Sequence, residues 1–379
     1  MRRWLCIVIA ALALLTDVHA TGDAPENTAR AAILIHMDSG RVLYKKNAEE
    51  RMLPASTTKI MTALVVLERC DLSETVTVSP SSCGAEGSSL YLRPGEVCTV
   101  EMLLYGLLLA SGNDAALALA EHVSGSVEAF VALMNDRAAQ LDLMNMHFSN
   151  PHGLDAPDHY VSASDLARIA CAAMENERFA QIVSTRERVF GDRMFANHNK
   201  LLWRFDGCTG VKTGYTKAAG RCLVSCAERD GLRLLCVTLS DPQDWADHMA
   251  LLEWGFDNWE YRRLFPSGVV KELPVIAGEA DTVPVALHED AAVLVPRGTE
   301  LKICLELPDF VYADVTAGER AGALRILSDR EELLCAELIY AESVPRSKEA
   351  RLTLPERIRR GLERSVRYGG VLPYIPYGA

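Results

Sequence analysis

Beyond its first twenty residues the chain has no apolar run near the ~20 residues that a helical membrane span requires. It has eleven cysteines and nine histidines, yet no Cys-x-x-Cys and no His-Glu-x-x-His. Neither a metal nor another cofactor is therefore expected from local ligand spacing. No basic stripe interleaved with aromatics occurs in the body, and the net charge is -12. That balance excludes a nucleic-acid binder as a partner class, because phosphate recognition needs clustered cations. Internal repeats and low-complexity tracts are absent too.

What is present begins with an export signal. Arg2 and Arg3 form a charged start, Trp4 to Leu15 an apolar stretch, and Val18-His19-Ala20 a small-residue cleavage site, so residues 1–20 read as a signal peptide. Ten cysteines remain once Cys6 is removed. Cys83 and Cys98 bracket a loop and form the first disulfide candidate, although sequence does not fix connectivity. Cys222, Cys226 and Cys236 fall on two apolar strands joined by Arg229-Asp230-Gly231, with a parity that could put all three on one face, and buried thiols are the default there.

After the linker Thr21 to Asn27, Ala31 to Met37 and Val42 to Tyr44 predict a hairpin about the turn Asp38-Ser39-Gly40-Arg41. Ile60 to Leu67 is apolar nearly all round, which marks a helix buried inside a domain. Helical periodicity runs over Thr99–Asp142 and Ser164–Ala180. Strands are predicted at Gly210–Thr216, Arg221–Ala227 and Leu232–Leu239, and a helix at Asp244–Phe256. Strands before and after a helical middle imply one sheet built from both chain ends with helices clustered on it, an α/β sandwich over residues 21–269. From Val270, short alternating segments such as Ala291–Val295 and Leu301–Leu305 predict a small all-β domain over 270–345.

Chemistry concentrates in three motifs. Ser56-Thr57-Thr58-Lys59 sets a hydroxyl and an amine three residues apart at the start of the buried helix. Residues i and i+3 share a helical face, so the Lys59 amine can reach the Ser56 hydroxyl and activate it. Alone, such a pair is common by chance. Here Ser111-Gly112-Asn113 follows the apolar run Met102–Ala110, and Lys212-Thr213-Gly214 opens a strand, so three elements stand in one order.

That set resembles the motifs of penicillin-binding proteins and class A β-lactamases. Asp38 to Tyr44 with Asn47-Ala48, Asn150-Pro151-His152-Gly153-Leu154-Asp155 with His159-Tyr160, and Asn197 to Leu202 extend the resemblance over nearly the whole chain. The sequence resembles a low-molecular-mass penicillin-binding protein of the serine D-alanyl-D-alanine carboxypeptidase family. The resemblance implies an antiparallel sheet with clustered helices, penicillin-binding and transpeptidase-like in fold. It implies removal of the terminal D-alanine from the peptidoglycan stem pentapeptide, with β-lactams as inhibitors.

On that reading Ser56 attacks, Lys59 takes its proton, and Ser111 stands between Lys59 and the departing amine. Asn113 holds the substrate backbone. Lys212 and Thr213 face the terminal carboxylate or the relay, and Gly214 permits close approach. The backbone N–H groups of Ser56 and Tyr215 would bind the oxyanion, with Thr216 beside them. Tyr215 stands where relatives often have His, a departure the backbone bond tolerates. His152 and His198 read as structural.

A class A β-lactamase would need a deacylating glutamate after the second motif, and Met144–Leu154 holds no acidic residue. An endopeptidase and a non-catalytic wall-binding protein are the other readings. Finally, residues 346–379 carry eight Arg or Lys against three Glu, with Ile358, Leu362 and Val366 at helical spacing. This reads as a basic amphipathic tail that meets an anionic membrane surface, placing the exported enzyme on the outer face of the cytoplasmic membrane or free in the wall space.

Overall fold

The computed structural model describes residues 22–329, 331–348, 355, 356 and 359. The expected signal peptide and most of the basic tail, including its apolar stripe, lie outside the described residues. The chain divides into two units between Glu260 and Tyr261.

In the first unit β1 (Ala31–His36) and β2 (Val42–Lys46) form the opening hairpin, and α1 (Lys59–Leu67) follows a 3-10 turn over Ala55–Thr58. A small pair, β3 (Thr75–Thr77) with β4 (Val97–Thr99), brackets a long loop. The periodic stretch then resolves into α2 (Val100–Leu109), α3 (Asn113–Ser124) and α4 (Val127–Gln140). Two backbone events break it. Ser111 takes a φ of 64°, and Gly125 ends α3 at a φ of 79°, a left-handed cap that glycine adopts without a Cβ penalty. Side-chain caps restart the helices: Thr99 accepts from Met102 N at 3.1 Å and Ser126 from Ala129 N at 3.1 Å.

α5 (Ala163–Met174) and α6 (Glu177–Ser184) follow, then the hairpin β5 (Glu187–Phe190) and β6 (Arg193–Ala196), and the single turn α7 (Leu201–Arg204). β7 (Cys208–Thr216), β8 (Gly220–Arg229) and β9 (Leu232–Leu239) lead to α8 (Asp244–Asn258). The strand order β2-β1-β9-β8-β7 makes the expected sheet from both chain ends, with β7 on its edge. One face, carrying Ile33, Ile35, Val224, Leu235 and Val237, packs on the helices α1 to α6. Across the sheet His248 of α8 joins Ser225 Oγ at 2.6 Å and Thr238 Oγ1 at 2.9 Å.

Register corrects the cysteine reading. Cys222 and Cys226 join the helix-side core, but Cys236 pairs opposite Ser225 and so lies on the α8 side. Cys83 and Cys98 are both free thiols, as are the other described cysteines.

The second unit begins earlier than the 269/270 boundary expected, because β10 (Trp259–Phe265) already pairs with β13 (Ala291–Pro296). Between and after them come β11 (Gly268–Ile276), β12 (Thr282–Leu287), β14 (Lys302–Glu306), β15 (Val311–Tyr312), β16 (Arg320–Leu327) and β17 (Glu332–Tyr340). The order β14-β16-β17-β12-β11-β15 forms a six-stranded sheet over a core of Leu273, Val283, Val285, Val293, Leu324, Ile326 and Leu338.

Candidate active site

Ser56 sits in the 3-10 turn immediately before α1, and neither turn is capped by a side chain that would compete for its hydroxyl. Its Oγ lies 2.9 Å from Lys59 Nζ. Lys59 is fully buried, and its Nζ also lies 2.7 Å from Asn113 Oδ1 and 2.6 Å from the His152 carbonyl oxygen. The last two partners can only accept. A neutral amine fits this set, with two N–H groups for the two oxygens and a lone pair for the Ser56 hydroxyl. Electrostatics favour that state: burial, and then the nearby Lys212, push the Lys59 amine well below the ordinary lysine value, against a smaller opposing effect of Asp114.

Ser111 and Lys212 form the second pair. The positive φ of Ser111 turns the chain out of α2, and its Oγ lies 3.1 Å from Lys212 Nζ. The structure thus bonds Ser111 to Lys212 and not to Lys59, a departure from the expected relay contact. Lys212 Nζ also donates to the Thr213 carbonyl at 2.8 Å. Only 1% of Lys212 is exposed, and that burial pushes its amine down to about 7. Thr213 beside it is half-buried on the edge strand.

Asn113 is engaged at both ends of its amide. Its Oδ1 meets Lys59, and its Nδ2 donates to the Glu86 carbonyl at 2.5 Å. It therefore orders the 86–90 loop and the base together. At Gly214 the fit is close: a Cβ there would stand 3.0 Å from Ser56 N and 3.1 Å from both Pro54 O and Ala55 Cβ. The edge strand reaches the nucleophile only because that side chain is missing. Tyr215 is 64% exposed, and Thr216 Oγ1 donates to Asp155 Oδ1 at 2.8 Å.

Two features of the site carry no site role in the sequence reading: Asp114, and the way the 150–155 motif holds Lys59. Asp114 is buried and accepts from Leu90 N at 2.9 Å, Leu92 N at 3.1 Å and Ser89 Oγ at 2.7 Å, which pins the loop that Asn113 touches. A lone carboxylate inside an apolar helical run was the available signal. The 150–155 loop is the second: Asn150 Oδ1 accepts from Gly153 N at 2.7 Å, the Pro151 carbonyl takes the Thr62 hydroxyl at 2.6 Å, and the His152 carbonyl takes Lys59. A Cβ on Gly153 would fall 1.9 Å from Ala55 O, so the loop lies directly on the Ser56 turn. His152 and His159 are each pushed down to about 4, chiefly by burial, and so are neutral near pH 7. His198 is lowered too, by burial and then Lys212, and its backbone N–H donates to Leu109 O at 3.1 Å.

Comparison with known proteins agrees with this geometry. The sequence profile described as D-alanyl-D-alanine carboxypeptidase matches residues 18–243, and that of the penicillin-binding protein 5 C-terminal domain matches residues 259–346. D-alanyl-D-alanine carboxypeptidase DacF of Bacillus subtilis is 34% identical over 358 residues, 88% of this chain and 92% of that protein. DacC of Escherichia coli is 37% identical over 345 residues, covering 86% of each chain. Among solved structures, penicillin-binding protein 5 from Haemophilus influenzae superposes with a TM-score of 0.72 at 31% identity, over 86% of this chain and 99% of that one. A Ser56–Lys59 pair on the buried helix, faced by Ser111–Asn113 and an edge-strand Lys212-Thr213-Gly214, sits in a chain that belongs to the D-alanyl-D-alanine carboxypeptidase family of penicillin-binding proteins.

Proposed function

We propose that this protein is a serine D-Ala-D-Ala carboxypeptidase that removes the terminal D-alanine of the peptidoglycan stem pentapeptide through a Ser56 acyl-enzyme. The observation that carries this reading is the Lys59 amine, held 2.9 Å from Ser56 Oγ by two acceptor-only partners and pushed down by burial. Lys59 takes the Ser56 proton as Oγ bonds to the carbonyl carbon of the penultimate D-alanine. The oxyanion is met by the backbone N–H groups of Ser56 and Tyr215. Ser111 gives a proton to the departing amine and takes one from the Lys212 ammonium, and the proton held by Lys59 passes through solvent to recharge Lys212, leaving Lys59 the free base for the water step. Lys212, Thr213 and Thr216 lie along the strand that would take the C-terminal carboxylate, and approach of that anion would hold Lys212 in its charged form. Water then cleaves the ester.

β-Lactams enter the same chemistry as acylating inhibitors. Their adduct persists, because 144–154 offers no carboxylate to activate water and the Asp155 carboxylate following it is tied to Thr216. The signal-like N-terminus and the basic tail support an enzyme exported to the outer face of the cytoplasmic membrane, with the tail on anionic lipid. Flotation with anionic vesicles, full length against a form ending at Val344, tests that placement, and equal flotation of the two rejects the tail as anchor.

The enzymatic test is release of free D-alanine from a pentapeptide, run beside covalent labelling by fluorescent penicillin. Ser56→Ala should abolish both together, and undiminished labelling of that variant would reject Ser56 as the nucleophile.

A further inference from the structure

On the far side of the catalytic unit, Cys70, Glu74 and His122 bring a thiol sulfur, a carboxylate oxygen and an imidazole nitrogen within 4.8 Å of one another. They come from three separate segments. Cys70 lies just past the C-terminus of α1, Glu74 just before β3, and His122 in the last turn of α3. No sequence-adjacent motif announces the cluster, which is why ligand spacing alone leaves it unseen.

We propose that these three side chains form a binding site for a borderline-soft divalent cation, zinc by ligand chemistry, which fastens the distal ends of α1 and α3. One sulfur, one imidazole nitrogen and one carboxylate oxygen are donors that zinc accepts together at about 2.0–2.3 Å, with water completing a tetrahedron. Donors around such an ion stand roughly 3–4 Å apart at those bond lengths. His122 Nε2 and Glu74 Oε2 already stand at 3.0 Å.

The backbone beneath the cluster is fixed. Cys70 N donates to Val66 O at 2.9 Å, Glu74 N to Asp71 O at 3.1 Å, and Val100 N to Glu74 O at 2.9 Å. Glu74 Oε1 accepts from Asp71 N at 2.7 Å, which orients the carboxylate and leaves Oε2 toward His122. All three ligands are partly exposed, so an ion has a path in. On binding, the Cys70 S–H bond breaks, a sulfur–metal bond forms, and the proton leaves to solvent, with no change of oxidation state. The His122–Glu74 hydrogen bond is exchanged for two bonds to the metal, the imidazole proton shifting through solvent from Nε2 to Nδ1 so that the ligand is the neutral ring. Because the thiol must be deprotonated, affinity falls as pH falls.

The position gives the site its consequence. α1 begins at Lys59 and α3 begins at Asn113, whose side chains meet in the active site. The cation would tie the opposite ends of the same two helices, stabilising the catalytic unit without touching the reacting groups.

The test adds cobalt(II), then zinc(II), to the reduced, chelator-treated full-length enzyme. One equivalent of cobalt should give the near-ultraviolet thiolate charge-transfer band and the intense visible bands of a tetrahedral ion. Zinc at about a hundred times its dissociation constant should raise Tm by about 5–10 °C, reversed by a chelator. Cys70→Ser and His122→Gln, each checked for native circular dichroism, should lose both the band and the shift. Having two variants covers the failure of either to fold. Absence of the band in the native enzyme, or an undiminished band in either folded variant, overturns the proposal.

Discussion

Replacing Lys59 by Met separates the base from the fold. The side chain is fully buried and its amine serves three partners. Methionine fills similar volume without a basic nitrogen. It leaves Asn113 Oδ1 and the His152 carbonyl without their donor, at about 1–3 kcal/mol each, partly offset by relief from desolvating an amine beside Lys212. The fold should survive with a lower Tm. Acylation should not, because a positioned general base contributes about 10²- to 10⁴-fold. Stopped-flow acylation by a fluorescent penicillin measures this directly. In the native enzyme the rate should fall as pH drops through the folded Lys59 value, since the amine acts only when unprotonated, and that limb should lie well below the ordinary lysine range. The Met variant should lack the limb. Acylation by folded Lys59→Met within tenfold of the native rate would refute Lys59 as the base.

Gly214→Ala should slow acylation by about tenfold or more through displacement of the nucleophile, because the added Cβ meets Ser56 N at 3.0 Å; an unchanged rate would mean the strand yields without moving Ser56. Asp114→Asn removes an anion that raises the Lys59 value, so the acid limb of the acylation profile should move to lower pH; a shift the other way contradicts the electrostatic account. His248 is buried and pushed down to about 3, so folded enzyme keeps it neutral while the unfolded chain protonates below about 6.5. Stability is then lost as pH falls from 6.5 toward 3, on the order of 5 kcal/mol from this residue at full extent. Urea midpoints of His248→Gln should decline less steeply over that range than those of the native protein, and parallel declines would dismiss the residue as the cause.

The sheet and its helices were legible wherever local pattern and tertiary role coincide. Ile60 to Leu67 is apolar on all sides and is buried as α1, and Leu232–Leu239 pairs with β1 as the two-ended sheet requires. The Ser56–Lys59 contact follows from helical spacing alone. Ser111 was assigned by motif, but its partner depends on where a positive-φ turn aims the hydroxyl, which no local pattern encodes. Cys236 faces away from Cys222 and Cys226 because the parity of one strand says nothing of its register against the next. Asp114 and Gly153 act through a loop and a turn remote in sequence, so their meaning exists only after the chain has closed.

That closure bears on when the enzyme can become reactive. Ala31 of β1 pairs with Leu239 of β9, so the first strand waits for a partner roughly two hundred residues behind it. Pairings of such long range are slow, because chain entropy is lost before the contacts form. A polypeptide threaded outward from its N-terminus would present β1 and the Ser56 turn first, without the strand group that flanks them. Lys212 and Gly214 arrive from that same late segment. Wherever the chain emerges N-terminus first, Ser56 would stand without Lys212 and Gly214, and so without its full chemistry, until that late strand group has followed.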